Sequence, residues 1–405
     1  MKLRYTYRAR IGKQAERAIM REWGACRWVW NQMVEENRKR HEQGLEFGDK
    51  QAQEHLTRLR AETTSENGER WLAAGSNVAQ QQTVRDYSRS RRKAIMDRKR
   101  HSGSKAGLPS FKSRNTSLPS LNYTKRGFRL KTMDGRERLI LAKGVRVNVV
   151  WSRPLPAEPS SVRIRRDAAG DWWASFVVDV DEQQLPATNN AIGIDWGVKA
   201  VANTTNPEYD LPAPEFLSQS LHELRDAQRR MARRRPDKGK PASNGYRQAK
   251  RAAAKTYRHV RNQRLDAAHK WANKIVRDFD HIAIEDFHPA FLAKTTMARK
   301  AADNLIGATK RILLEKSART GREVKKVPAP YTTMTCSACG ARAKRRLKLD
   351  ERVYHCAYCG YICGRDLNAA RNIRKEAGFN LPYAEGVRRQ PQQGKTSSEY
   401  GIPRL

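Results

Sequence analysis

The stretch AIGIDWGVKAVANTT, residues 191–205, decides the fold. It reads as a hydrophobic strand, a tight turn and a second strand, with one acid, Asp195, set among apolar neighbours. Downstream, residues 217–277 are long-helical, interrupted by RRRPDKGKPASNG. HIAIEDF (281–287) is a short buried-strand pattern, 300–319 is helical and GREVKKV (321–327) is a further strand. DLNAARNIRKEAG (366–378) is a last helix. Strands alternating with helices in this way predict an α/β layer with a covered sheet.

Upstream the pattern differs. Residues 1–11 alternate, with Leu3, Tyr5, Tyr7 and Ala9 on one side and Arg4, Thr6, Arg8 and Arg10 on the other. From Gly12 to about Gly44, apolar residues recur at helical spacing: Ala15, Ile19, Trp23, Cys26, Val29, Trp30 and Met33. Residues 45–68 are polar and show no clear period. A second helix is expected from Ser76–Asn77 to about Arg100. After a Gly/Ser/Pro-rich break, residues 120–182 read as short strands separated by turns such as Asp134-Gly135. These strands, with residues 1–11, would close into a small barrel interrupted by helices 12–100. Residues 183–190 read as a linker, and the chain from about 376 reads as a disordered tail.

The 405 residues carry 81 Lys and Arg against 42 Asp and Glu, a net charge of +39, and are 38% hydrophobic. A core can form, but the charge excludes an ordinary metabolic enzyme and points to a polyanion partner. No apolar run is long enough to span a membrane, and MKLRYTYRARIGKQ lacks the apolar region of a secretion signal. Between 225 and 270 there are sixteen Lys and Arg against three Asp. Candidate nucleic-acid contacts are Arg89, Arg92 and Lys93 on the basic helix end, Lys112 and Arg114 beyond it, Arg230 and Arg233 in the arginine cluster, and Arg365. Tyr5, Tyr7 and Trp30 read as core residues.

Five of the six cysteines lie in 336–363. Cys336-x2-Cys339 and Cys356-x2-Cys359, each beside a glycine and separated by sixteen residues, have the spacing of two zinc knuckles. Four thiolates leave no open position, so such a zinc is structural. Cys363 reads as packed, and Cys26 as a buried small hydrophobe.

The acids are the unusual feature of so basic a chain. Asp195 and Glu285 end buried-strand patterns, and Asp366 opens the last helix, a position that taken singly reads as an N-cap. A carboxylate among apolar neighbours needs a compensating cation, which Mg²⁺ supplies through oxygen ligands. Three acids holding two ions suit phosphodiester hydrolysis. Gly193 and Gly197 read as slim backbone where a phosphate approaches, and Asp286 as structural.

In order along the chain, GIDWG (193–197), IAIEDF (282–287), TCSACG (335–340), YHCAYCGY (354–361) and RDLNAARNI (365–373) resemble the TnpB family, transposon-encoded RNA-guided nucleases related to miniature type V CRISPR effectors. PSFKSR (109–114), VRIRRDAAGDWWASF (162–176), NQRLDAAHKWANKIV (262–276) and GIPRL (401–405) extend the likeness over most of the chain. The resemblance implies a wedge β-barrel (1–11 and 101–182) with a helical recognition insertion (12–100). It further implies a RuvC-like, RNase H-fold nuclease domain (191–330 and 364–375), an inserted zinc ribbon (331–363) and a tail (376–405). Asp195, Glu285 and Asp366 match the family's catalytic, Mg²⁺-binding acids. The implied partners are a guide RNA and double-stranded target DNA bearing a short adjacent motif, with a monomer favoured, in the cytoplasm at the nucleoid. A miniature CRISPR effector, a guide-dependent DNA binder without cleavage, and a strand-transferring transposase are the competing readings. The chain departs from the family at Gly364, where an acid is common, at the extra Cys363 and at Ala94-Ile95, where aromatics are common.

Overall fold

The computed structural model describes residues 1–379 apart from 100–106, 116, 134, 238–239, 288–297, 299–302, 329, 346 and 348–350. The chain forms two compact units, 1–180 and 181–405. No helix among the described residues is long and apolar enough to cross a membrane.

The first unit is built on a seven-stranded antiparallel sheet in the order β2-β6-β7-β1-β5-β4-β3. The strands are β1 (Lys2–Arg10), β2 (Ser120–Thr124), β3 (Phe128–Met133), β4 (Arg136–Leu141), β5 (Val145–Val150), β6 (Pro159–Arg166) and β7 (Trp172–Asp179). The alternation in residues 1–11 holds: Leu3, Tyr7 and Ala9 are buried while the arginines between them are exposed. The edge strands β2 and β3 are consecutive in sequence, joined by the single turn Lys125–Gly127. In a flat sheet six strand spacings would hold the edges about 29 Å apart, whereas that turn reaches at most about 14 Å. The sheet therefore curls strongly, yet among the described residues no pairing joins β2 to β3. It is a half-barrel rather than the closed barrel that the strand count suggests. Gly127 packs against Tyr123 and Val78, each of which would stand 2.9 Å from a Cβ there.

Helix α1 (Lys13–Glu42) is about 45 Å long and serves two cores. Its first half lays Ile19, Trp23 and Cys26 on the sheet. Its second half packs Val29, Trp30, Met33 and Val34 against α2 (Asp49–Glu62), α3 (Trp71–Ala74) and α4 (Asn77–Lys99). Helix α2 lies in the segment whose sequence showed no period; only Ala52 and Leu56 of it are buried. The PSFKSR segment is tied to α1. Trp30 Nε1 donates to the Ser110 carbonyl at 2.9 Å. The Asn31 side chain accepts the Lys112 N–H at 2.8 Å and donates to its carbonyl at 3.2 Å.

The second unit contains a five-stranded sheet in the order β10-β9-β8-β11-β12. These are β8 (Ala191–Trp196), β9 (Ala200–Thr204), β10 (Leu211–Pro212), β11 (His281–Glu285) and β12 (Glu323–Val327). β8, β11 and β12 run parallel. The short helix α5 (Phe216–Gln219) leads to α6 (Leu221–Arg233) and then α7 (Asn244–Asp278), whose N-cap Ser243 accepts the Tyr246 N–H at 3.1 Å. Alternation sorts the strands: Ile192, Ile194, Trp196, Ile282 and Ile284 meet α7 and α8 (Ile306–Arg319). Ala191, Ala283 and Val327, on the other face, meet α9 (Arg365–Glu376) through Ile373 and Ala377. Both faces are covered, which is why β8 is buried at every position. The folded chain continues past the expected start of the tail at 376. Glu376 ends α9 and Phe379 is buried against that cluster, so the fold runs to 379; residues 380–405 lie outside the described residues.

A hairpin, β13 (Val353–His355) with β14 (Ile362–Gly364), joins the cysteine segment to α9.

Candidate active site and zinc ribbon

Strand period and helix placement bring the three acids to one face. With Ile282 and Ile284 turned to α7, alternation turns Ala283 and Glu285 toward α9; on β8, Asp195 likewise shares the face of Ala191 and Gly193. Asp366 lies in the first turn of α9, one residue inside the N-terminus, and the N-cap is Gly364 rather than Asp366. What lets α9 lie so close is Gly193. A Cβ there would stand 2.1 Å from the Ala370 carbonyl oxygen and 3.0 Å from the Arg374 nitrogen. The slim backbone thus receives the helix, not a phosphate. Gly197 serves the turn, packed against the Ala200 carbonyl.

The site's electrostatics follow from its burial. Asp195 and Glu285 are 9% and 8% exposed and share a side-chain hydrogen bond. Burial, then the charges of Glu285 and Asp366, push the Asp195 carboxyl well above the usual range, with Arg365 acting against them. Burial pushes Glu285 up to about 7, offset by the hydrogen bond from Asp195 and the charge of Lys310. Asp366 is held by Arg352, whose Nη1 donates to Oδ2 at 3.4 Å. The three are not packed like a closed ligand cage. Among the described residues, the four cysteines are the one group of three or more Cys, His, Asp or Glu whose ligating atoms all lie within 4.8 Å of one another.

Three neighbours carried no signal in the sequence. Lys310, on α8, donates to the carbonyls of Glu285 at 3.2 Å and Phe287 at 3.3 Å and pairs with Asp286 at 3.2 Å. Asn304 is 4% exposed and donates to the carbonyls of Gly197 and Val198, at 3.3 and 2.7 Å, bracing the turn after Asp195. Asp210 accepts from the Thr204 N–H and hydroxyl, at 2.6 and 3.0 Å, and is raised chiefly by burial and least by Asp366.

In the cysteine segment, Cys336 Sγ lies 3.8 Å from Cys359 Sγ, and Cys339 Sγ 3.7 Å from Cys356 Sγ. Tetrahedral bonds of about 2.3 Å to one zinc put the sulfurs about 3.8 Å apart, so the four thiols fit that ion. Backbone amides, first that of Cys359 and then that of Tyr358, lower the Cys356 thiol to about 6, whereas Cys359 is pushed up to about 12: against the lowering Tyr361 amide stand the hydrogen bonds of Cys339, Cys356 and Cys336. Cys363 stands outside the group, partly buried beside Tyr354 and Tyr361.

The basic candidates have different settings. Arg89 and Arg92 are 78% and 60% exposed, with Asp86 and Asp49 as partners at 3.8 and 2.5 Å. Lys93, Arg114, Arg230 and Arg233 are exposed. Lys112 is only half-exposed; its ammonium sits 3.2 Å over the Trp30 ring, and burial lowers it to about 8. Arg365 is buried, and its charge acts on Asp195.

Three family models match the chain: a helix-turn-helix domain of the OrfB_IS605 type over 1–46, a probable transposase of the same type over 175–294, and a Cas12f1-like TNB domain over 307–373. Residues 1–46 fold here as a strand and one long helix. A putative RNA-guided DNA endonuclease of Streptomyces pristinaespiralis is 28% identical over 424 aligned residues, covering 100% of this chain and 99% of that protein. The putative RNA-guided DNA endonuclease InsQ of Escherichia coli K12 is 25% identical, covering 91% and 90%. A Cas12f1 chain solved with single-guide RNA and target DNA is 14% identical with a TM-score of 0.49, covering 92% of this chain and 98% of that one. The first of these relatives aligns with the whole of this chain, so the likeness that the motifs carry from residue 109 onward extends to its first residues.

Proposed function

We propose that this chain is an RNA-guided DNA endonuclease of the TnpB type, in which a RuvC-like, RNase H-fold domain cuts target DNA with Mg²⁺. The observation that carries the reading is the acidic constellation: Asp195 and Glu285, buried and hydrogen-bonded on one sheet face, with Asp366 brought to the same face by α9. A hydrogen-bonded carboxyl pair with raised protonation, in a chain of +39, suits a divalent cation and a phosphodiester. Asp195, Glu285 and Asp366 are the residues to hold Mg²⁺. When bound, the ions supply an activated water and charge neutralisation at the leaving oxygen. Lys310 and Asn304 keep the Glu285 strand end and the Asp195 turn in place. Cys336, Cys339, Cys356 and Cys359 hold a structural zinc. Guide RNA and double-stranded target DNA are the partners, and exposed arginines and lysines such as Arg89, Lys93, Arg114, Arg230 and Arg233 make backbone contacts. The wedge (1–11 and 101–182), recognition (12–100), nuclease (191–330 and 364–375) and ribbon (331–363) assignments belong to this proposal.

The test is to purify the protein with the RNA it binds from cells carrying its locus, sequence that RNA, and assay Mg²⁺-dependent cutting of matching DNA. A transposon-end transcript with cutting that Asp195→Ala abolishes while binding persists is the expected result. A repeat–spacer RNA would make it a CRISPR effector, binding without cutting a guided DNA binder, joined products a transposase, and random RNA fragments would overturn RNA guidance.

A further inference from the structure

Asp366 sits in the first turn of α9, where the chain leaves the zinc ribbon. Gly364 caps α9 without a side chain, so the free amides of its first turn have no cap from their own sequence. A helix end in that state frays unless a neighbour holds it. The neighbour is the ribbon. The Arg365 N–H donates to the Arg352 carbonyl at 2.8 Å. Asn368, two residues after Asp366 and 0% exposed, uses both ends of its amide. Its Oδ1 accepts the Ser337 N–H at 2.9 Å, inside the first cysteine knuckle, and its Nδ2 donates to the Thr335 carbonyl at 2.7 Å. One turn on, Asn372 Nδ2 donates to the carbonyls of Thr332 and Thr335, at 2.8 and 2.6 Å, and Lys375 reaches the Ser337 carbonyl.

Asn368, Asn372 and Lys375 make one helical stripe facing the knuckle. Ala370 and Ile373 lie against the sheet, where Gly193 sets the distance. The sheet grips the middle and end of α9 on one side, while the ribbon grips the other side from the turn that carries Asp366 to Lys375. A buried amide with donor and acceptor both engaged fixes position more narrowly than apolar contact does.

We propose that Asn368 is a positioning residue for Asp366: its amide bolts the first knuckle to α9 and so sets where the third carboxylate stands relative to Asp195 and Glu285. The inference rests on the metal-ion reading of the three acids. Partners bonded directly to a metal ligand, as Arg352 is to Asp366, are worth about 10–100-fold in affinity; Asn368 acts one step farther back, through the helix backbone.

The experiment titrates the zinc-loaded full chain, without nucleic acid, with terbium(III) as the probe. Its luminescence is sensitised by Trp196 beside Asp195, and the signal lost in Asp195→Ala is taken as the site's own. Asn368→Ala is expected to raise half-saturation severalfold, up to about tenfold, with zinc content kept at one ion per chain, and to raise the Mg²⁺ needed for half-maximal cleavage in parallel. Asn372→Ala, one turn farther from Asp366, is expected to shift both less. Unchanged terbium binding in Asn368→Ala, or equal shifts in the two variants, would overturn the proposal. If Asn368→Ala does not fold, Asn368→Ser, which keeps a polar atom at the site, carries the same comparison. A wild-type chain with no Asp195-dependent terbium signal would sink the metal-ion reading itself; wild-type binding matched by Asn368→Ala sinks the positioning role alone.

Discussion

Asp195 and Glu285 share a hydrogen bond that needs a proton, and burial raises both carboxyls. The sign of the consequence is fixed. A carboxyl whose folded pKa lies above its unfolded value stabilises the fold at low pH, and that contribution is lost as pH rises through the folded value. For Glu285 that value is about 7. The metal-free protein should therefore lose thermal stability from about pH 4.5, the ordinary carboxyl value, up to about pH 7, and Mg²⁺ should restore it at the upper end by replacing the proton. Melting curves across that range, with Mg²⁺ or with a chelator, measure it. Glu285→Gln should flatten the metal-free curve; an unchanged slope in that variant would show that other groups set it. Lys310 lowers Glu285 by its charge, so Lys310→Met should move the transition to higher pH. It also frees the carbonyls of Glu285 and Phe287 from their shared donor.

At the scale of elements, the close seat of α9 on β8 makes a sharp prediction. Gly193→Ala places a methyl carbon 2.1 Å from a backbone oxygen, which no rotamer can relieve. The helix must move, at a cost of about 1–3 kcal/mol or more, and Asp366 moves with it. We expect a lower melting temperature and cleavage reduced by more than the stability loss explains, measured on the fraction still folded. Gly197→Ala, facing the Ala200 carbonyl at 3.0 Å, should be milder. The glycine also marks what a sequence can and cannot say. GIDWG signals that something must come close; that the something is α9 depends on a partner about 175 residues away. Elements with an apolar stripe were legible, α1, α7 and the strands β8 and β11, and α4 was legible from its Ser76–Asn77 start. Helix α2 was not, because it buries only Ala52 and Leu56 and is otherwise polar. The docking of PSFKSR on α1 runs through the carbonyls of Ser110 and Lys112, and every residue has a carbonyl. The three acids could be nominated because an acid in an apolar strand is rare. Their helpers Lys310, Asn304 and Asn368 are ordinary residues until the fold places them.

For the whole molecule, the net charge of +39 predicts how tightly and how salt-sensitively it binds nucleic acid. Each phosphate neutralised releases counterion, so the logarithm of the binding constant falls against the logarithm of salt with a slope of about −0.9 per contact on duplex DNA and about −0.7 on single strands. Exposed side chains should contribute to that slope and buried ones should not. Arg230→Gln and Arg233→Gln, both at exposed positions of α6, should each weaken binding alike on all sequences and reduce the slope by about one unit or slightly less. Lys112→Ala should behave differently. Its ammonium is spent over the Trp30 ring, and its backbone holds the 110–112 segment to Asn31 and Arg27. Losing the ammonium costs the cation–π contact, about 0.5–2 kcal/mol, so the melting temperature should fall while the salt slope stays. Filter binding at four or five salt concentrations, beside melting curves, separates the two classes. A Lys112→Ala protein with wild-type stability and a shallower slope would show that the lysine leaves the tryptophan to meet phosphate, and that its resting place in α1 is only a parked position.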